Sequence, residues 1–183
     1  MLPELSRTWF LTWTTYGTWL PGDERSFVGN VRECEDRLKI KRRSPGVPYE
    51  KANDALADAA QQSMRGSPVW LTRQQAIVVF EQLRETATHR NWSLIASAVM
   101  SNHVHLLVTV PGDPEPAVLL RDFKAYASRA LNKRFGKPPS NTWWTRSGSN
   151  RICDDDASLM TRLRYIRDQD NPLAIWLHPE YQK

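Results

Sequence analysis

Two histidines stand two residues apart in the apolar run Ala98-Val99-Met100-Ser101-Asn102-His103-Val104-His105-Leu106-Leu107-Val108. In an extended strand alternate side chains project to opposite faces, so His103 and His105 share one face while Val104 and Leu106 take the other. Same-face neighbours lie about 6–7 Å apart along a strand, which lets two imidazoles lean onto one metal ion. A divalent metal held by two neutral imidazoles keeps open positions that can polarise a phosphate oxygen. A later helix offers Tyr126 as a nucleophile. A phenol with a pKa near 10 attacks poorly at neutral pH, but an activated phosphodiester and nearby Lys or Arg would help it. The product would be a phosphotyrosine ester, which keeps the energy of the broken bond for rejoining. Taken singly, a His-x-His pattern is more often non-metallic, and a helix-surface tyrosine more often only packs. Their combination carries the chemical reading.

The elements that must position these groups follow from periodicity. Arg7 to Tyr16 is an aromatic and threonine-rich strand, broken by Gly17 and then Pro21-Gly22. Residues 17–68 read as an insertion, with a short helix from Glu50 to Met64. Thr72 and Gln75 have capping-box spacing, and Ala76, Phe80, Leu83 and Ala87 recur at helical intervals, so Thr72 to Arg90 is an amphipathic helix. Trp92 to Met100 and His103 to Val110 are strands joined at Ser101-Asn102. Glu115 to Arg134 is the next helix. At 100° per residue, Leu119, Leu120, Phe123, Ala127, Ala130 and Leu131 form one apolar stripe. Tyr126 falls at the edge of that stripe, with Asp122, Arg129 and Lys133 beyond it. Asn141 to Cys153 reads as a short hairpin, and Asp154-Asp155-Asp156 opens a last helix through Leu159, Leu163 and Ile166. A short tail follows Asn171-Pro172. The order strand–helix–strand–strand–helix–strand predicts an α+β, ferredoxin-like antiparallel sheet with helices packed on it. The 183 residues are read as a single domain, 1–183, with the insertion at 17–68.

Composition narrows the partner. Lys and Arg number 25 against 20 Asp and Glu, so the net charge is +5, which favours a polyanion. The basic cluster Arg37 to Arg43, with Lys39, Lys41, Arg42 and Arg43, reads equally as a solvated loop or a phosphate-contacting arm. Arg129, Lys133 and Arg146 are further candidates for contact with nucleic acid. Eight tryptophans suit base stacking as well as a core. Two cysteines without a Cys-x-x-Cys argue against a disulfide scaffold or structural zinc and fit a reducing cytoplasm. No apolar run approaches membrane-spanning length.

Met100-Ser-Asn-His-Val-His-Leu-Leu107 resembles the HUH motif (His, bulky hydrophobic, His) of single-tyrosine transposases. Phe123-Lys-Ala-Tyr126-Ala-Ser-Arg-Ala-Leu131 resembles their nucleophile helix, and Phe10-Leu-Thr-Trp-Thr-Thr-Tyr-Gly17 their opening strand. Tyr165-Ile166 followed by Asn171-Pro172 resembles the closing helix of the REP-associated tyrosine transposase branch. The likeness covers residues 7–16 and 72–172. It implies an HUH nuclease fold, a divalent metal (Mg²⁺ or Mn²⁺) and single-stranded DNA with hairpin structure as substrate. It implies cleavage and rejoining of that DNA in transposition, in a bacterial cytoplasm at the nucleoid. By position it makes His103 and His105 the metal ligands and Tyr126 the nucleophile, giving a 5′-phosphotyrosine and a free 3′-hydroxyl. One departure stands out. The family often places a polar third ligand, commonly Gln, one turn after the tyrosine, and here that position is Ala130. Asp122, water, or impaired metal binding are the alternatives. The resemblance leaves monomer and homodimer open.

Two rival readings follow from the same residues. One is a non-catalytic binding module for structured single-stranded DNA or RNA. The other, a metallohydrolase of small molecules, is disfavoured because Leu106, Leu107 and Val108 supply no acidic ligand after the histidines.

Overall fold

The computed structural model describes residues 6–22, 30–32, 39–41 and 53–182. The elements in chain order are β1 (Ser6–Thr14), β2 (Asn30–Arg32), β3 (Lys39–Lys41), α1 (Asp54–Gln62), α2 (Arg73–His89), β4 (Ser93–Val99), β5 (His103–Pro111), α3 (Pro116–Phe135), β6 (Ser149–Cys153), α4 (Asp156–Arg167) and β7 (Ala174–Leu177). A 3₁₀ turn, Pro179–Tyr181, follows. The fold is α+β.

Five strands form one sheet in the order β6-β1-β5-β4-β7, and every pairing is antiparallel. Without β7 this is the ferredoxin-like arrangement, in which two split βαβ units interleave. Strands β2 and β3 make a separate two-stranded pair.

Strand alternation divides the sheet into two chemically different faces. Leu11 and Trp13 of β1 and Val104, Leu106, Val108 and Val110 of β5 are fully or almost fully buried. They form one core with Val79 and Leu83 of α2 and Leu119, Phe123, Ala127 and Leu131 of α3. The other face carries Phe10, Ala96, Ala98 and Leu107, which pack with Leu163 and Ile166 of α4. Helices α2 and α3 therefore cover one face and α4 crosses the opposite one. Burying apolar area on both faces explains why β5 is an almost continuous hydrophobic run.

Local signals set the helix boundaries. The Thr72 side chain accepts from Gln75 N–H while the Gln75 side chain accepts from Thr72 N–H, a complete capping box at the start of α2. Asp155 accepts from Ser158 N–H and Ser158 reciprocates at the start of α4. The turn before His103 is clamped from three sides. The Asn102 carbonyl accepts from Thr15 N–H (2.8 Å) and from the Thr18 hydroxyl (3.2 Å), and the Ser101 carbonyl accepts from Leu71 N–H (2.7 Å).

Two expectations change. Asn141 to Cys153 is not a hairpin: Trp144 bridges to Thr15 and β6 pairs with β1, so both arms satisfy the edge of β1 rather than each other. Gly148 permits this approach, because a Cβ there would lie 2.8 Å from the Thr12 carbonyl oxygen and 3.2 Å from Trp13 Cβ. Lys124 of α3 holds the same segment by donating to the carbonyls of Thr145, Arg146 and Ser147, and burial lowers its pKa to about 8. The tail after Asn171-Pro172 contains a strand, β7, which extends the sheet beyond β4.

Candidate active site

His103 and His105 lie on the α4 face of β5. The register places Thr14 opposite His103 and Thr12 opposite His105. The two imidazole centroids are 4.6 Å apart with planes at 73°. His105 is 4% exposed, and burial together with the charge of His103 lowers its pKa to about 3, so the ring is neutral near neutral pH.

Each ring has an orienting partner on Nδ1. Thr12 Oγ1 lies 2.8 Å from His105 Nδ1, and Asn102 Oδ1 lies 2.6 Å from His103 Nδ1. A side-chain carbonyl can only accept, so His103 Nδ1 carries the proton and Nε2 keeps the lone pair in the neutral ring. His105 with Nδ1–H donating to Thr12 has the same tautomer. Its Nε2 is buried and has no hydrogen-bond partner among the described residues. Two Nε2 lone pairs on adjacent rings, each fixed by a hydrogen bond behind it, suit the imidazole half of a divalent-metal site.

Three further side chains gather here. Phe10 stacks on His105 at 5.5 Å and 17°. The Tyr165 ring stands edge-on to His105 at 5.0 Å and to Phe10 at 5.8 Å. The guanidinium carbon of Arg162 is 5.3 Å from the Phe10 centroid. Leu163 and Ile166 anchor α4 in the core and leave Tyr165 48% exposed at its edge. Gln169, one turn past Tyr165, donates its side-chain amide to the Tyr165 carbonyl at 2.8 Å, which leaves its own Oε1 for another donor or an ion.

The remaining sequence candidates lie elsewhere. Tyr126 sits on α3, whose buried stripe packs on the sheet face away from the imidazoles. Its ring lies beneath the Arg129 guanidinium at 5.0 Å. The expected convergence of Tyr126 with the histidines is thus corrected: a strand cannot present one side chain to both faces. Asp122 is corrected for the same reason. It is buried on α3 and paired with Arg90 at 2.6 Å and Arg121 at 3.3 Å, so its carboxylate serves a helix–helix tie. Arg129 and Lys133 are exposed on α3, and Arg146 is exposed in the segment before β6. Lys39 and Lys41 belong to β3, while Arg42 and Arg43 lie outside the described residues. Among the described residues, no group of three His, Cys, Asp and Glu side chains is placed to hold an ion. Nor is any helix long and apolar enough to cross a membrane.

Sequence reasoning did not place Tyr165 beside the histidines, nor Thr12, Asn102 and Arg162 in their surroundings. A signal for Tyr165 was present, since Tyr165-Ile166 with Asn171-Pro172 carried part of the resemblance.

Fold and site together define a class: ferredoxin-like α+β proteins with a His-x-His strand facing a tyrosine-bearing helix. The family model described as "Transposase IS200 like" matches residues 68–169, more than half of the chain, and the protein belongs to that family. The matched span includes His103, His105, Tyr165 and Gln169. No curated protein matches the sequence. Similar solved structures include a REP-associated tyrosine transposase bound to a REP hairpin, at 14% identity and TM-score 0.46, covering 91% of this chain and 68% of that one. Another is a Deinococcus radiodurans R1 protein assigned to the transposases, at 18% identity and TM-score 0.44, covering 92% of this chain and 93% of that one.

Proposed function

We propose that this transposase cuts and rejoins single-stranded DNA carrying hairpin structure, and that Tyr165, not Tyr126, is its nucleophile. The observation that carries the reading is the edge-on contact of Tyr165 with His105, 5.0 Å between ring centroids. It puts an exposed phenol beside the two imidazoles on one face of the sheet. The substrate class is the one the family resemblance implies.

The phenolic oxygen of Tyr165 attacks the phosphorus of a phosphodiester laid against the imidazole pair. A bond forms between that oxygen and phosphorus, and the bond from phosphorus to the 3′ oxygen of the preceding nucleotide breaks. The phenolic proton passes to solvent, and the departing oxygen takes up a proton to become a free 3′-hydroxyl. The 5′ phosphate stays on Tyr165. One phosphodiester has replaced another, so attack by a 3′-hydroxyl rejoins strands without outside energy.

His103 and His105 would hold Mg²⁺ or Mn²⁺ through Nε2. Gln169 Oε1 would be the third protein donor, at the position one turn after the tyrosine that Ala130 does not supply. A bound ion there supplies Lewis-acid polarisation of a phosphate oxygen. Phenol and imidazoles come from one chain, so a monomer suffices for cleavage.

The test is a covalent adduct with hairpin-bearing single-stranded oligonucleotides and Mn²⁺, resolved on a denaturing gel. Wild type and Tyr126→Phe form the adduct and Tyr165→Phe does not. An adduct that survives Tyr165→Phe overturns the assignment. Hairpin binding without any adduct favours the binding-module reading.

A further inference from the structure

Phe10 joins three groups on the α4 face: the His105 imidazole, the Tyr165 ring and the Arg162 guanidinium. Arg162 and Tyr165 are three residues apart on α4, a spacing that makes them neighbours on one side of a helix. Arg162 is half-buried, and among the described residues no carboxylate pairs with it and no group accepts a hydrogen bond from it. The neighbouring cations differ. Arg167 is paired with Asp168, and Arg164 is exposed. A guanidinium against an aromatic face keeps its N–H donors, which no described protein group accepts, available to an anion. The planar fork of arginine suits two oxygens of one phosphate.

We propose that Arg162 binds the non-bridging oxygens of the phosphate that Tyr165 attacks. This rests on the reading of Tyr165 as nucleophile and adds a residue to it. Phe10 acts as the spacer: one ring sets the height of imidazole, phenol and guanidinium together, so the phosphate meets all three on arrival.

Two measurements test the proposal. The first is the rate of adduct formation by wild type, Arg162→Ala and Arg162→Lys. Removing the guanidinium slows the reaction about 10–100-fold, as expected for a lost charge-assisted contact to a reacting phosphate, and lysine recovers part of it. The second uses the uncleaving Tyr165→Phe protein and an oligonucleotide with a neutral methylphosphonate at the mapped scissile link. With Arg162 present the neutral link weakens binding about tenfold, and with Arg162→Ala it weakens it no further. This second readout does not respond to a merely structural role. Arg162→Gln, which keeps length against Phe10, replaces the alanine variant if that variant loses its fold. Wild-type rates in Arg162→Ala, or equal methylphosphonate penalties with and without Arg162, overturn the proposal and leave Tyr165 standing. Absence of any adduct in the wild type removes both.

Discussion

Tyr165 and His105 meet edge to face, with 5.0 Å between centroids and 76° between planes, although a helix and a strand separate them in the chain. The contact exists because α4 crosses the face of the sheet that the histidines occupy. It holds the phenol ring beside the imidazoles while Tyr165 stays half exposed. Thr12 and Asn102 fix the rings from behind.

The buried His105 makes the metal-free protein acid-sensitive. Its pKa is lowered from 6.5 to about 3. Between those values the unfolded chain binds the proton and the folded chain does not. Stability is therefore full above pH 6.5 and falls as the pH drops through that window, with a slope approaching about 1.4 kcal/mol per pH unit. Urea unfolding across the window measures it. His105→Phe, which keeps the stacking on Phe10, gives a shallower dependence; identical slopes in the two proteins would contradict a buried neutral imidazole.

Thr12→Val keeps the shape of the side chain and removes the hydroxyl 2.8 Å from His105 Nδ1. The ring loses its orienting bond, and Mn²⁺ affinity falls about 10–100-fold. The loss of fold stability is about 1–2 kcal/mol. Calorimetric titration with Mn²⁺ checks this, and unchanged affinity would count against the orienting role.

Asp122→Asn separates a structural carboxylate from a metal ligand. It weakens the 2.6 Å pair with Arg90 that ties α3 to the end of α2. Because Arg90 is 41% exposed on its side chain, the cost is about 1–3 kcal/mol rather than that of a fully buried pair. Chemical denaturation reads the loss, and Mn²⁺ affinity stays at the wild-type value. A drop in that affinity would return Asp122 to the ligand set.

Much of the fold was legible because it is written in local patterns. The capping box at Thr72 and Gln75 marks the start of α2, and the Asp-rich segment marks α4. The segment from Asn141 to Cys153 was misread because its composition suits a strand without naming the partner. The free edge of β1 accepts it, and Gly148 lets it come close. The four residues of β7 are too few for a period to emerge, and their strand character depends on the edge that β4 offers.

The placement of Tyr165 rather than Tyr126 beside the histidines has a longer-range cause. Both tyrosines lie on amphipathic helices bordered by basic residues, so local sequence ranks them alike. Combined topology could have separated them. Right-handed crossovers put α2 and α3 on one face, and the wholly apolar series Val104, Leu106, Val108 and Val110 must meet them. The intervening histidines then turn to the other side, away from Tyr126.

What the sequence by itself determined is the sharing of a face by His103 and His105, because side-chain alternation belongs to any extended backbone. Only the tertiary structure decided which phenol joins them and which cation stands beside it. A sheet has two faces, and the choice between them rests on contacts among segments far apart in the chain.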